Sequence, residues 1–65
     1  MDFKKARESA GLTQQAAAEQ FGVKRTTVAM WETGKSLPRA ELLPLIARTY
    51  DCEISELLGN APQAG

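Results

Sequence analysis

Residues Gln20–Lys35 read "QFGVKRTTVAMWETGK". Gly22 marks the stop of one helix, because glycine takes the left-handed conformation that closes a helix at little steric cost. Val23 follows, and a second helix begins near Lys24 or Arg25 and stops near Gly34. Two helices joined by a three- or four-residue turn containing glycine make a helix-turn-helix. The closest approach of two such helices needs a small side chain, and Ala18 supplies one. At about 100° per residue, Thr27, Val28 and Trp31 fall on one side of the second helix. Arg25, Thr26, Ala29, Met30 and Thr33 share the other, within an arc of roughly 140°. Val28 and Trp31 therefore face a core, and the opposite side is free to meet something else.

Working outward, the apolar spacing stays helical. Phe3, Ala6, Arg7 and Ala10 follow i, i+3, i+4, i+7, with the aliphatic stem of Arg7 filling one place. Gly11 stops that first helix, and Thr13 is a good N-cap for the next, whose inner face is Ala17, Ala18 and Phe21. "GKSLP" (34–38) is a loop. Leu43, Ile46, Ala47 and Tyr50 define a fourth helix. Pro44 lacks an N–H and belongs in a first turn, so an irregular or 3₁₀ turn is expected around Arg39–Leu42 and the regular helix from about Leu43. A short fifth helix, about Ile54 to Leu58, ends at Gly59. No segment alternates with period two. The expectation is an all-α, compact five-helix domain over residues 1–59, with 60–65 a flexible tail or the start of a linker.

Size and composition exclude much. With 65 residues there is one domain and no room for a deep, lidded cleft. There is no histidine, no nucleophile beside a base, no glycine-rich phosphate cradle and no metal-ligand cluster, so neither an enzyme nor a metal or cofactor site is expected. The lone Cys52 points to a reducing compartment and to a role as a small core residue, with a redox sensor as the lesser alternative. No apolar run reaches the roughly 18 residues a membrane span needs, and the N-terminus lacks the apolar core of a signal peptide. Net charge is zero, but it is unevenly spread. Residues 1–40 carry seven cations and four anions, a balance of +3; residues 41–65 carry one cation and four anions, a balance of −3. The first part can face a polyanion while the second stays acidic.

The ordered set Leu12-Thr13-Gln14, Ala18, Gly22-Val23, Thr26-Thr27, Val28, Trp31-Glu32, Gly34-Lys35 and Pro38 resembles the phage-repressor and Cro-type helix-turn-helix family, the lambda-repressor-like DNA-binding domains. "DCEISELLG" (51–59) is similar to that family's last helix, and the resemblance covers about residues 3–59. It implies that helix three enters the major groove of double-stranded DNA, with Arg25, Thr26, Ala29 and Met30 contacting bases. Thr13, Gln14, Lys24, Thr33 and Lys35 match positions that contact phosphates. Arg7 and Glu32 match the family's inter-helix salt bridge. Three departures stand out. Lys24 occupies a capping position and can cap nothing, so the helix start is expected to shift or fray. Ala17 replaces a leucine, which predicts thinner packing. Met30 stands where Arg or Gln is common, leaving Arg25 the best candidate for bidentate recognition of guanine.

The expected function is thus sequence-specific DNA binding by a transcriptional regulator, a repressor, acting as a two-fold homodimer on a palindromic operator in the cytoplasm of a bacterial or phage-infected cell. No small-molecule ligand is expected. Ile54 and Leu57 or Leu58 are the candidate dimer contacts, as exposed apolar residues near the fifth helix. Plainer readings stand beside these: Lys24 and Arg25 as a solvated helix start, and Met30 as a scattered exposed apolar residue or a protein contact. The rival function is a protein-interaction or dimerisation module, anti-repressor or antitoxin-like, on a retained helix-turn-helix fold.

Overall fold

The computed structural model describes residues 2–58. The chain runs through α1 (Phe3–Ser9), α2 (Gln14–Phe21), α3 (Arg25–Thr33), a 3₁₀ turn (Ala40–Leu42), α4 (Leu43–Tyr50) and α5 (Ile54–Leu57). No strand occurs among the described residues. The all-α, five-helix expectation therefore holds, including the 3₁₀ turn ahead of Leu43. Gly59 as the stop of α5 and the 60–65 tail lie outside the described residues.

Local chemistry sets the boundaries. Thr13 has an extended backbone, and its Oγ1 accepts from the Ala16 N–H at 3.0 Å, which caps α2. Gly22 closes α2 at φ 69°, in the left-handed region, and the Val23 N–H returns to the Ala18 carbonyl at 3.0 Å. A Cβ at Gly22 would meet no atom within 4 Å. Its requirement is therefore one of backbone conformation and not of space. Asp51 ends α4 in the same region, at φ 57°, one of the few side chains that tolerate it. Lys24 is the N-cap residue of α3 and makes no side-chain cap. The helix start nonetheless does not move: the Lys24 carbonyl accepts from Thr27 at 2.9 Å and Val28 at 3.3 Å.

The core is built on four aromatic rings that link the helices. Phe3 meets Trp31 at 6.2 Å between centroids and ties α1 to α3. Phe21 meets Trp31 at 6.0 Å, tying α2 to α3, and packs edge-on against Tyr50 at 5.5 Å, tying α2 to α4. Ala17, Ala18, Val28, Ile46 and Ala47 fill the space between. Ala17 is fully buried, so its small side chain lets α2 lie against its neighbours. Cys52 is half-buried against this core.

One sequence expectation is corrected. Leu57 is 0% exposed and belongs to the core, so it is not available as a dimer contact. In a helix of four residues, Leu57 points inward while its C-cap neighbour Leu58 stays 42% exposed. A backbone bond from the Asp2 N–H to the Leu57 carbonyl, 3.0 Å, pins α5 beside the start of α1.

Candidate nucleic-acid interface

The two faces of α3 separate as its periodicity predicts. Val28 and Trp31 are buried, and Thr27 is half-buried beside them. Arg25, Thr26, Met30 and Thr33 are exposed, with Ala29 half-buried among them. Met30 is 39% exposed, a large apolar side chain on an otherwise polar face. Lys24 and Lys35 are exposed at the two ends of the helix. The end beyond Met30 is tightly wound: its carbonyl accepts from the Lys35 N–H at 2.9 Å and from the Thr33 hydroxyl at 3.3 Å.

Behind the exposed face lies a chain of four polar side chains. Arg7 donates to Glu32 through Nε at 2.6 Å and through Nη2 at 3.2 Å, a two-pronged pair. Arg7 Nη1 also donates to the Leu12 carbonyl at 2.7 Å, holding the α1–α2 loop. The two side chains are 10% and 4% exposed, so the expected link between α1 and α3 is present and sheltered. Its hydrogen bond to Glu32 holds the Arg7 guanidinium above its ordinary range, against the opposing pull of burial. Glu32 Oε1 further accepts from Gln14 Nε2 at 3.0 Å. Gln14 Oε1 in turn accepts from Arg25 Nη1 at 3.3 Å. The first residues of α2 and α3 thus sit side by side. The sequence reading missed this contact, because partners 11 and 18 residues apart are brought together only by the helix crossing.

Two other titratable groups lie away from this face. Tyr50 is 3% exposed and its hydroxyl, buried, has no hydrogen-bond partner among the described residues. Burial, reinforced by the charge of Glu32, pushes it up to about 12. Burial also raises Cys52, with the carboxylates of Glu56, Asp51 and Glu53 adding to it. A thiol so held stays protonated, which favours the packing role over the redox one. No group of three or more potential metal ligands, and no helix long and apolar enough to cross a membrane, occurs among the described residues.

The helix-turn-helix family pattern matches residues 3–57. Over 54 residues the chain is 41% identical to the HTH-type transcriptional activator BcrR of Enterococcus faecalis, covering 83% of this chain and 26% of that protein. Over 47 residues it is 38% identical to an uncharacterized HTH-type transcriptional regulator of Archaeoglobus fulgidus, covering 72% of this chain and 67% of that protein. The chain thus spans about a quarter of the length of the Enterococcus relative. No solved structure matches.

Proposed function

This chain belongs to the helix-turn-helix family of transcriptional regulators, and from that premise we propose that it reads a specific double-stranded DNA sequence by placing α3 in the major groove. The observation that carries the proposal is the two-sidedness of α3. One face is locked into the core by Val28 and Trp31, and the other offers Arg25 and Thr26 at its leading end and Met30 one turn deeper. Arg25, Thr26, Ala29 and Met30 are assigned to base edges. Thr13, Gln14, Lys24, Thr33 and Lys35 are assigned to the backbone, where contacts fix register.

One nine-residue helix touches few bases, so the binding unit is a two-fold dimer with half-sites about 34 Å apart. Ile54 and Leu58, 36% and 42% exposed, are the apolar residues of the α5 end that remain open to a second copy. The acidic residues Asp51, Glu53 and Glu56, all exposed, sit at that end and repel the DNA backbone, which orients the domain. Repression follows from occupancy of a promoter alone and needs no further surface.

Selection from a random duplex pool at two salt concentrations tests the reading. Enrichment of a palindrome is expected, with affinity falling steeply as salt rises. No enrichment, together with a stable dimer free of DNA, would favour the protein-interaction module instead.

A further inference from the structure

A cavity of about 510 Å³ opens between α1 and the α4–α5 end, within the size range of small-molecule clefts. It shares no residue with the positions assigned to DNA. Ala6 and Cys52, both half-buried, are among its apolar lining. Its charge is lopsided: Asp2, Asp51 and Glu56 bring three carboxylates and Lys5 one ammonium, a balance of 1 − 3 = −2. None of these four makes an ion pair among the described residues, where the pairs are Arg7–Glu32 and Arg39–Glu41. Asp2 stands at the N-cap of α1 yet makes no side-chain cap. Asp51 closes α4, so the negative end of that helix dipole adds to the carboxylates. Burial raises the Cys52 thiol, and the charges of Glu56, Asp51 and Glu53 raise it further, so the negative potential reaches the lining itself. Tyr50 lines the same cavity. Its buried hydroxyl has no partner among the described residues and lies within electrostatic reach of Cys52, which leaves a polar atom of the wall with unused bonding capacity.

We infer that this cavity binds a small organic cation: an amidinium, guanidinium or amine carried on an apolar body. The acids do not converge on a point, since no group of three or more potential metal ligands occurs among the described residues. A compact metal ion therefore has no seat, and a cation that satisfies several of these carboxylates must be extended. Its charged head lies among Asp2, Asp51 and Glu56, and its body lies against Ala6 and Cys52. The negative balance turns away nucleotides and other anions. Lys5 opposes a bound cation, so its removal and the removal of a carboxylate must act with opposite signs.

Benzamidine, a flat amidinium on a ring, is the probe, and benzamide is its neutral isostere. Each is titrated into the isotope-labelled protein without DNA, and backbone amide shifts are followed by NMR. Benzamidine is expected to saturate with a Kd on the order of 1 mM, as suits a ligand of about nine heavy atoms. The shifts should be confined to the amides around the cavity, such as Lys5, Ala6, Ser9, Cys52 and Ser55. Benzamide should bind at least about tenfold more weakly. Glu56→Gln should weaken benzamidine by about two- to fivefold, and Lys5→Gln should strengthen it by a similar factor, the scale of one exposed charge. Ser9→Phe fills the cavity without changing its charge and should abolish saturation. All three residues are exposed, so the fold is expected to stay intact, and thermal unfolding checks it. Shifts that scatter over the chain or never saturate overturn the inference. So does equal binding of benzamide, which removes the selection for charge. Weakening by Lys5→Gln would mean a ligand anchored by the ammonium, and undiminished binding in Ser9→Phe would mean ions gathered on an acidic surface; either result overturns it, whatever the chain does with DNA.

Discussion

The α2–α3 pair and the α4–α5 end are both anchored in the same aromatic core, but by different means. In the first, a threonine cap, left-handed glycine stops and four linked polar side chains fix how each helix is turned. In the second, α5 has four residues and no side-chain cap, and it is held by one buried leucine and one backbone bond. A helix that short has no stability of its own. Apolar burial attaches an element without defining its rotation closely, whereas directional bonds define it. Under the DNA-reading proposal, the half that presents side chains in register is the half that carries the directional bonds.

The largest effect should come from breaking that polar chain at its inner end. Arg7→Met leaves the sheltered Glu32 without its cation and with only the Gln14 amide as a hydrogen-bond partner, a loss of about 3–5 kcal/mol. In a domain this small each kcal/mol lowers Tm by roughly 4–8 °C. Arg39→Ala is the control: its bond to Glu41 is 3.9 Å long between side chains 78% and 75% exposed, and no measurable change in Tm is expected. If thermal unfolding ranked the two alike, the directional half would owe its stability to the aromatic core alone.

The matching experiment on the other half is Leu57→Ala. Truncating a fully buried leucine should cost about 2–5 kcal/mol, read by urea unfolding, and should release α5 from α1. Ile54→Ala and Leu58→Ala should each stay within about 0.5 kcal/mol for the monomer. Their effect belongs to the concentration dependence of DNA binding, if the dimer forms where proposed. A Leu58 variant as unstable as the Leu57 one would mean that α5 is turned differently.

The same contrast explains what was legible in the sequence. Glycine, proline and threonine announce boundaries through backbone geometry, a local property, so the stops at Gly22 and Gly34, the 3₁₀ turn and the Thr13 cap were readable, whereas the stop of α4 at Asp51 carried no such mark. The two faces of α3 were readable because nine residues give a clear period. Leu57 against Leu58 was not, since four residues give none. The Arg7–Glu32 pair came through resemblance, not spacing. The Gln14 contacts were invisible, because they depend on the angle at which α2 and α3 cross.

Tyr50 lies at the junction of the two halves, on α4 with its ring against Phe21 of α2. Its hydroxyl is held up to about 12, above the value near 10 of an unfolded chain. Between those values the folded state keeps a proton that the unfolded state has lost, so stability falls as pH rises from about 10 to 12. The sum is on the order of 2–3 kcal/mol. Tyr50→Phe should abolish this part of the alkaline loss and cost little at pH 7, since the hydroxyl has no partner to lose. As the chain contains one tyrosine, absorbance of tyrosinate follows the titration directly. Ionisation near pH 10 in the folded state would place the hydroxyl in water.

On the presenting face, effects should be smaller and confined to DNA. Arg25→Ala should cost about 1–3 kcal/mol on the best site and relax preference at one base pair. Lys35→Ala should lower the salt slope by about one unit and leave preference intact. A uniform loss across all sequences from Arg25→Ala would move Arg25 into the class assigned to Lys35, and α3 would then position without reading.

The smallest effect expected on DNA affinity is the most specific. Met30 occupies the middle of the presenting face, 39% exposed, with no hydrogen-bond donor to offer a base. What such a side chain distinguishes in a major groove is the methyl group of thymine. Replacing a contacted thymine by uracil deletes that methyl and keeps the pairing edge. The loss should be about 0.8 kcal/mol, the worth of one buried carbon, or roughly fourfold in Kd. A uracil scan of the selected operator locates the position, and Met30→Ala should abolish the sensitivity there and nowhere else. That pairing of substitutions matters, because uracil also alters groove shape, and a shape effect would persist when the side chain is gone. If no position responds, Met30 does not read a thymine methyl. The base reading proposed for α3 would then be confined to its first turn, around Arg25.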